Sequence, residues 1–143
     1  MSLIKYSSPL VKGKEIYLDE DFAKEVDKLV DIGTPLGITI YFNSGFRLNS
    51  NNLHGATVDP AKMSNHFTGT GFDGNLIHRG KFYTSKKLEG ALPDEIIFFI
   101  DAWKILGNRW GGDFKKRDVV HFDNGLNLKN PEKWKELYKE YHV

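Results

Sequence analysis

The chain of 143 residues contains no cysteine. That excludes a disulfide scaffold, a zinc ribbon and a thiol nucleophile. A metal site, if there is one, must be built from the five histidines and 19 carboxylates. Long apolar runs are also missing. The longest, Ile96 to Ile100, is far short of the ~20 residues that a membrane span requires. Met1 to Leu10 holds one lysine and no apolar core of signal-peptide length, so synthesis in the cytoplasm without an export signal is expected. An excess of charge is absent too. Twenty basic against 19 acidic residues leave a formal net charge of +1, which argues against a dedicated nucleic-acid binder. What remains is an ordinary mixture, 40% hydrophobic and 27% charged. At roughly 150 residues per domain, residues 1–143 are expected to form one domain. A chain of this size buries roughly two-thirds of its unfolded surface and needs no staple.

Residues 1–18 read as an irregular or extended lead-in. Phe22, Val26, Leu29 and Val30 fall at helical spacing within Asp19 to Ile32, and Gly33 supplies a stop. Leu36, Ile38, Ile40 and Phe42 alternate with smaller or polar residues, the pattern of a half-buried strand. Residues 43–75 are rich in Asn, Ser, Gly and Thr and lack periodicity. So long an irregular stretch in a compact domain points to function. Residues 76–85 read as strand around His78-Arg79-Gly80, in the manner of a hairpin. Pro93, Asp94 and Glu95 open a helix. Its residues Ile96 to Leu106 are apolar on nearly every face, which predicts the buried helix. Gly107 ends it. Asp118 to Asp123 reads as a short strand. Asn130 caps, and Pro131 starts, a last helix with Trp134, Leu137, Tyr138 and Tyr141 on one face. Helices and strands thus alternate along one α+β chain.

Four polar clusters interrupt these elements. The first is Ser64 to Asp73, with His66 and Asp73 at its ends and two glycines between them. The second is Asp118-Val119-Val120-His121. Residues three apart on a strand face opposite ways, so Asp118 and His121 share a site only if one lies at the strand's entrance. The third is Ser44-Gly45-Phe46-Arg47. The fourth is Asn108 to Phe114, a glycine-rich turn after the buried helix. Taken singly, each has an ordinary structural reading: a loop hydrogen-bonder, a helix exit with an aromatic plug, a surface ion pair. Together they offer more. Two histidines and one aspartate form a three-donor set that leaves a fourth metal position open. Asp118 is a spare carboxylate for proton transfer. Arg47 is a permanent cation for a developing oxyanion or a substrate carboxylate.

Other patterns are decoys. Gly69 to Gly74 fits G-x-G-x-x-G, but no strand is expected before it and no helix after it. His54 and Asp59, and His78 with its carboxylates, read as loop residues without companions. His142 reads as solvated at a frayed end. Lys115-Lys116-Arg117 lacks interleaved aromatics and reads as a solvated turn.

Ser-x-His66-x-x-Gly-x-Gly-x-Asp73, then Trp110-Gly111-Gly112-Asp113-Phe114, then Asp118-x-x-His121-Phe122 resemble the M15 zinc peptidases. That family comprises the VanY/VanX-like D-Ala-D-Ala carboxypeptidases and the phage L-alanyl-D-glutamate endolysins. Ser44-Gly45-Phe46-Arg47 is similar to the family's Ser-Gly-Tyr-Arg. The likeness runs from Ile38 to Asp123 in the family's order. It implies a small antiparallel sheet flanked by helices, in the zinc fold shared with hedgehog and the DD-peptidases. It implies one Zn2+ held by His66, Asp73 and His121, with Asp118 as catalytic base and Arg47 on the substrate carbonyl. Trp110 and Asp113 would shape the site, and Ser64 would stand beside the first ligand. Trp110 and Phe122 would wall the cleft. Gly71 replaces the family's usual alanine, which would add backbone freedom near a ligand.

The implied activity is hydrolysis of a peptidoglycan stem peptide by a monomer acting at the cell wall, on the periplasmic side if it is a phage lysin, with no nucleic-acid or membrane partner. The endolysins carry Asp where the carboxypeptidases and dipeptidases commonly carry Glu, three residues before the last histidine. Asp118 therefore favours an L-alanyl-D-glutamate endopeptidase over a D-Ala-D-Ala carboxypeptidase or dipeptidase. A non-catalytic, metal-stabilised binding or virion module is the alternative of another class, since the hedgehog domain keeps similar zinc ligands.

Overall fold

The computed structural model describes residues 2–49 and 62–142. Three short strands form the lead-in: β1 (Leu3–Tyr6), β2 (Lys12–Gly13) and β3 (Ile16–Asp19). β1 and β3 pair antiparallel. Helix α1 (Glu20–Gly33) follows at once. Asp19 caps it by accepting from the Asp21 amide at 3.2 Å, which satisfies one of the free first-turn donors. Phe22, Val26, Leu29 and Val30 are buried, as their spacing predicts. The α-helix ends at Gly33, as expected. The chain continues through a 3-10 turn, Thr34–Leu36, and reverses at Gly37 with φ 70°.

β4 (Ile38–Ser44), β5 (Gly71–His78), β6 (Lys81–Tyr83), β7 (Arg109–Trp110) and β8 (His121–Asp123) build the main sheet with β2. Its order is β2-β4-β5-β8-β7, and β6 also pairs with β5. The sheet is not wholly antiparallel: β2 runs parallel to β4. β5 starts at Gly71, well before the expected strand at 76, because Gly71 to Asp73 pair with β8. The expected hairpin is present, turning at Arg79 and Gly80. β8 is shorter than predicted. Residues 118–121 form a turn closed by the His121 amide on the Asp118 carbonyl at 3.1 Å, and the Trp110 indole holds this turn through Val119 O at 2.8 Å.

The remaining helices are α2 (Ser85–Glu89), α3 (Asp94–Ile105), α4 (Leu126–Lys129) and α5 (Pro131–Tyr141). The sequence pattern did not foreshadow the short α2 and α4. Pro93 stands one residue earlier than expected, as the cap of α3. α3 is only half buried. Ile96, Phe99, Ile100 and Trp103 face the core, while Phe98 and Ile105 are 60% and 85% exposed. One face meets α1 and the sheet, and no described element covers the other. Core packing centres on Phe72, stacked on Phe122 at 5.0 Å and edge-on to Phe42. Phe72 and Phe122 are paired across β5 and β8, as are their neighbours Asp73 and His121. Side chains alternate along a strand. The same pleat that buries the two phenylalanines therefore turns Asp73 and His121 to the opposite face.

Among the described residues, no helix is long and apolar enough to cross a membrane. Secondary structure, topology and core packing together make this an α+β fold with a mixed sheet.

Candidate metal centre

His66 sits on a 3-10 turn, Asn65–Thr68, that Ser64 caps by accepting from the His66 amide at 3.2 Å. Trp134 of α5 holds the Ser64 carbonyl at 3.1 Å. The Ser44–Arg47 loop lies against this turn. The Arg47 amide donates to the His66 carbonyl at 3.0 Å, and the His66 ring meets Gly45 O through Nδ1 at 2.8 Å. A carbonyl only accepts, so Nδ1 carries the proton and Nε2 has the lone pair when the ring is neutral.

Asp73 comes from β5. A bulge sets both Asn43 and Ser44 against it, and bulges re-aim side chains beside sites. Ser44 Oγ donates to Asp73 Oδ2 at 3.1 Å. The other oxygen, Oδ1, lies 3.2 Å from His66 Nε2 and 3.3 Å from His121 Nδ1. His121 opens β8 directly opposite Asp73. Its Nε2 lies 2.6 Å from Asp123 Oδ2. Asp123 is 1% exposed and paired with Arg109 through two hydrogen bonds of 2.8 Å, which keeps it an accepting carboxylate. His121 Nε2 therefore holds the proton and Nδ1 the lone pair.

Three electron-pair donors thus converge within 4.8 Å of one another. Three acceptors at one point need a cation between them, so the donor set fits a metal ion. Without one, a proton takes that place. Burial works to lower the His121 pKa, but its hydrogen bonds to the Asp123 and Asp73 carboxylates outweigh it and carry it up to about 9. Burial works to raise the Asp73 pKa, and hydrogen bonds to His121 and His66 overcome it, holding the carboxyl well below the usual carboxylate range.

Asp118 is exposed on the turn that precedes His121. Its amide donates to Gly111 O at 2.9 Å and its carbonyl accepts from His121. It therefore lies at the strand's entrance, the placement its spacing required. Gly111 is dictated by this approach, because a Cβ there would lie 2.1 Å from the Asp118 carbonyl oxygen. Arg47 is also exposed. Among the described residues neither the Arg47 nor the Asp118 side chain enters a hydrogen bond or ion pair.

Several expectations need correction. Trp110 and Phe122 do not wall a cleft. Trp110 is a buried plug bonded to Val119 O, and Phe122 lies in the core. The aromatic beside the site is Phe114, 5.7 Å from the His121 ring, with the Arg109 guanidinium 4.7 Å from its own ring. Gly71 uses no special backbone freedom, since its φ is not positive. It gives close approach instead: a Cβ would meet Asp123 Cβ at 3.1 Å and His121 Cε1 at 3.4 Å. His142 is not free in solvent. It accepts from the Asn49 amide at 3.0 Å and stacks on Tyr138 at 4.0 Å. His78 ends β5 and contacts Glu95 at 2.8 Å. Asp113 pairs with Lys104 at 3.0 Å. Arg117 is drawn back onto Gly112 O at 2.8 Å, whereas Lys115 and Lys116 are exposed, as a solvated turn requires. The glycine run from Gly69 leads into β5, not into a helix. His54 and Asp59 lie outside the described residues. Sequence reasoning missed Asp123 and Arg109. Their signal was positional: residues two apart on a strand share a face, which puts Asp123 beside His121.

A family model described as D-alanyl-D-alanine carboxypeptidase matches residues 57–124. That span holds His66, Asp73, Asp118 and His121, while Arg47 precedes it. No curated protein matches the chain. A crystal structure of the Serratia marcescens L-Ala D-Glu endopeptidase ChiX is similar at 15% identity, with a TM-score of 0.45, over 74% of this chain and 79% of that one. The matched span runs through His66, Asp73, Asp118 and His121, so this part of the chain is similar to the M15 peptidases.

Proposed function

We propose that the protein is a zinc-dependent peptidoglycan peptidase that cuts the stem peptide between L-alanine and D-glutamate. The observation that carries this reading is the convergence of His66 Nε2, Asp73 Oδ1 and His121 Nδ1 one turn away from the uncommitted carboxylate of Asp118. Two imidazoles and one carboxylate, without thiolate, form a hydrolytic zinc set with room for water. Zinc, when bound there, supplies Lewis acidity and makes a bound water more acidic.

The chain's own residues do the rest. The Asp118 carboxylate takes the proton of the attacking water and returns it to the leaving amine. The Arg47 guanidinium steadies the negative charge that develops on the scissile carbonyl oxygen. Exposure suits both roles, since each side chain must reach substrate. An inert binding module gives no reason to leave this acid and this base uncommitted beside a cation site. Aspartate rather than glutamate at 118 favours the endopeptidase branch that the sequence resembles. We place the action at the cell wall, as a monomer carrying one Zn2+.

The test is mass spectrometry of purified peptidoglycan digested by the zinc-loaded protein. The expected products are glycan-linked L-alanine and stem fragments that begin at D-glutamate. Release of free D-alanine would move the assignment to a carboxypeptidase. Intact wall would favour the non-catalytic module.

A further inference from the structure

We infer that Asp123 is a positioning residue for the metal centre: clamped by Arg109, it fixes the His121 ring so that Nδ1 presents its lone pair to the cation. The inference rests on reading His66, Asp73 and His121 as a metal site.

An imidazole has two neutral tautomers, and only one offers the right nitrogen to a metal. The choice is set by what the other nitrogen meets. Here that partner is a carboxylate with no freedom to turn. Asp123 Oδ2 accepts from His121 Nε2 at 2.6 Å and from Arg109 Nη2 at 2.8 Å. Its Oδ1 accepts from Arg109 Nε and from the Gly125 amide, both at 2.8 Å. Four donors thus surround one buried carboxylate. The pairing is written into the sheet. Arg109 lies opposite Asp123 in the β7–β8 register, and Gly71 lies opposite it on β5. Gly71 leaves room there for the carboxylate and the imidazole.

The network also reaches the other histidine. Asn127 Oδ1 accepts from Asn65 Nδ2 at 3.1 Å, and the Asn127 amide donates to Asn65 Oδ1 at 3.1 Å. Asn65 is the neighbour of His66. Arg109 Nη2 makes a longer contact of 3.5 Å with Asn127 Oδ1. One chain of bonds therefore spans both imidazole-bearing segments. A plain structural ion pair would not need to hold a carboxylate oxygen against a candidate ligand, and a buried pair by itself contributes little net stability.

The decisive comparison is wild type against Asp123→Asn, with Arg109→Lys as a second variant. Two readouts are taken besides activity. One is zinc affinity by competition with a chromophoric chelator. The other is the His121 tautomer in the metal-free protein at alkaline pH, from ring-nitrogen chemical shifts. In Asp123→Asn the amide cannot accept from Arg109, Gly125 and His121 together. The Nε2–H tautomer should lose population, and zinc affinity should fall about 10- to 100-fold. Arg109→Lys keeps the carboxylate but loosens its two-bond grip. Its ring should stay mainly Nε2–H, with a smaller loss of zinc affinity. Unchanged affinity and tautomer in folded Asp123→Asn overturn the inference. If that variant does not fold, unchanged zinc affinity in Arg109→Lys overturns it instead. Failure here is distinguishable from failure of the proposed function. Zinc-loaded wild type that leaves peptidoglycan intact removes the peptidase reading and spares this one. An active wild type with an unaltered Asp123→Asn centre does the reverse.

Discussion

The indole Nε1 of Trp134 donates to the carbonyl of Ser64 at 3.1 Å. Ser64 in turn caps the 3-10 turn that carries His66. The last helix therefore braces the first candidate ligand from 70 residues away in the chain. Trp134 is fully buried and stacks on Tyr138 at 5.0 Å. Trp134→Phe should remove one of two hydrogen bonds to the Ser64 carbonyl, the other coming from the Phe67 amide, and cost about 0.5–1.5 kcal/mol. Urea unfolding measures the cost. Weaker zinc binding should accompany it, because the cap of the His66 turn is no longer anchored to α5.

Asp118 has no structural duty in its side chain, only in its backbone. Asp118→Asn should therefore melt like wild type and bind zinc equally well. Loss of the general base should reduce kcat by about 10²- to 10⁴-fold. Steady-state cleavage of a stem peptide checks this, and full turnover in the variant would remove Asp118 from the mechanism.

Gly71→Ala tests how tightly the back of the site is packed. The added Cβ would lie 3.1 Å from Asp123 Cβ, and Asp123 is pinned by its four donors. Since the neighbour has little room to give, overpacking should destabilise the fold by about 1–3 kcal/mol. Equilibrium unfolding decides the sign. A gain of about 0.4–1 kcal/mol would instead show that only unfolded-chain entropy changed.

Glu95 supplies the acid dependence. Hydrogen bonds from Arg79 and then His78 lower its pKa from 4.5 to about 2. A depressed carboxyl stabilises the fold above its unfolded pKa and loses that effect as pH falls through the folded one. Its contribution should therefore be complete above pH 4.5 and fade towards pH 2. Glu95→Gln should flatten that part of the stability profile in acid titrations followed by circular dichroism. The effect should be small and salt-sensitive, because the pair is exposed.

Much of this was legible in the residues. The spacing of Phe22, Val26, Leu29 and Val30 gave α1, and the alternation from Ile38 to Phe42 gave β4. The separated His66, Asp73 and His121 do meet. What escaped is what pairing across the chain decides. The early start of β5 depends on β8, which no local period reveals. The partial exposure of α3 follows from having the sheet and α1 on one side only; hydrophobicity alone cannot show that. Trp110 and Phe122 fall on the core side of their strands, and Phe114 stands beside the site in their stead. Asp123 and Arg109 escaped because their partnership is a matter of register between β7 and β8.

Metal content tests the central claim most directly. Wild type, His66→Ala and Asp73→Ala would be dialysed against zinc and iron together, then washed and assayed by elemental analysis. The account predicts one zinc per wild-type chain and little in either variant, since three protein ligands are needed for a catalytic zinc site. Wild type without zinc, or with iron in its place, or variants that retain the full complement, would contradict it.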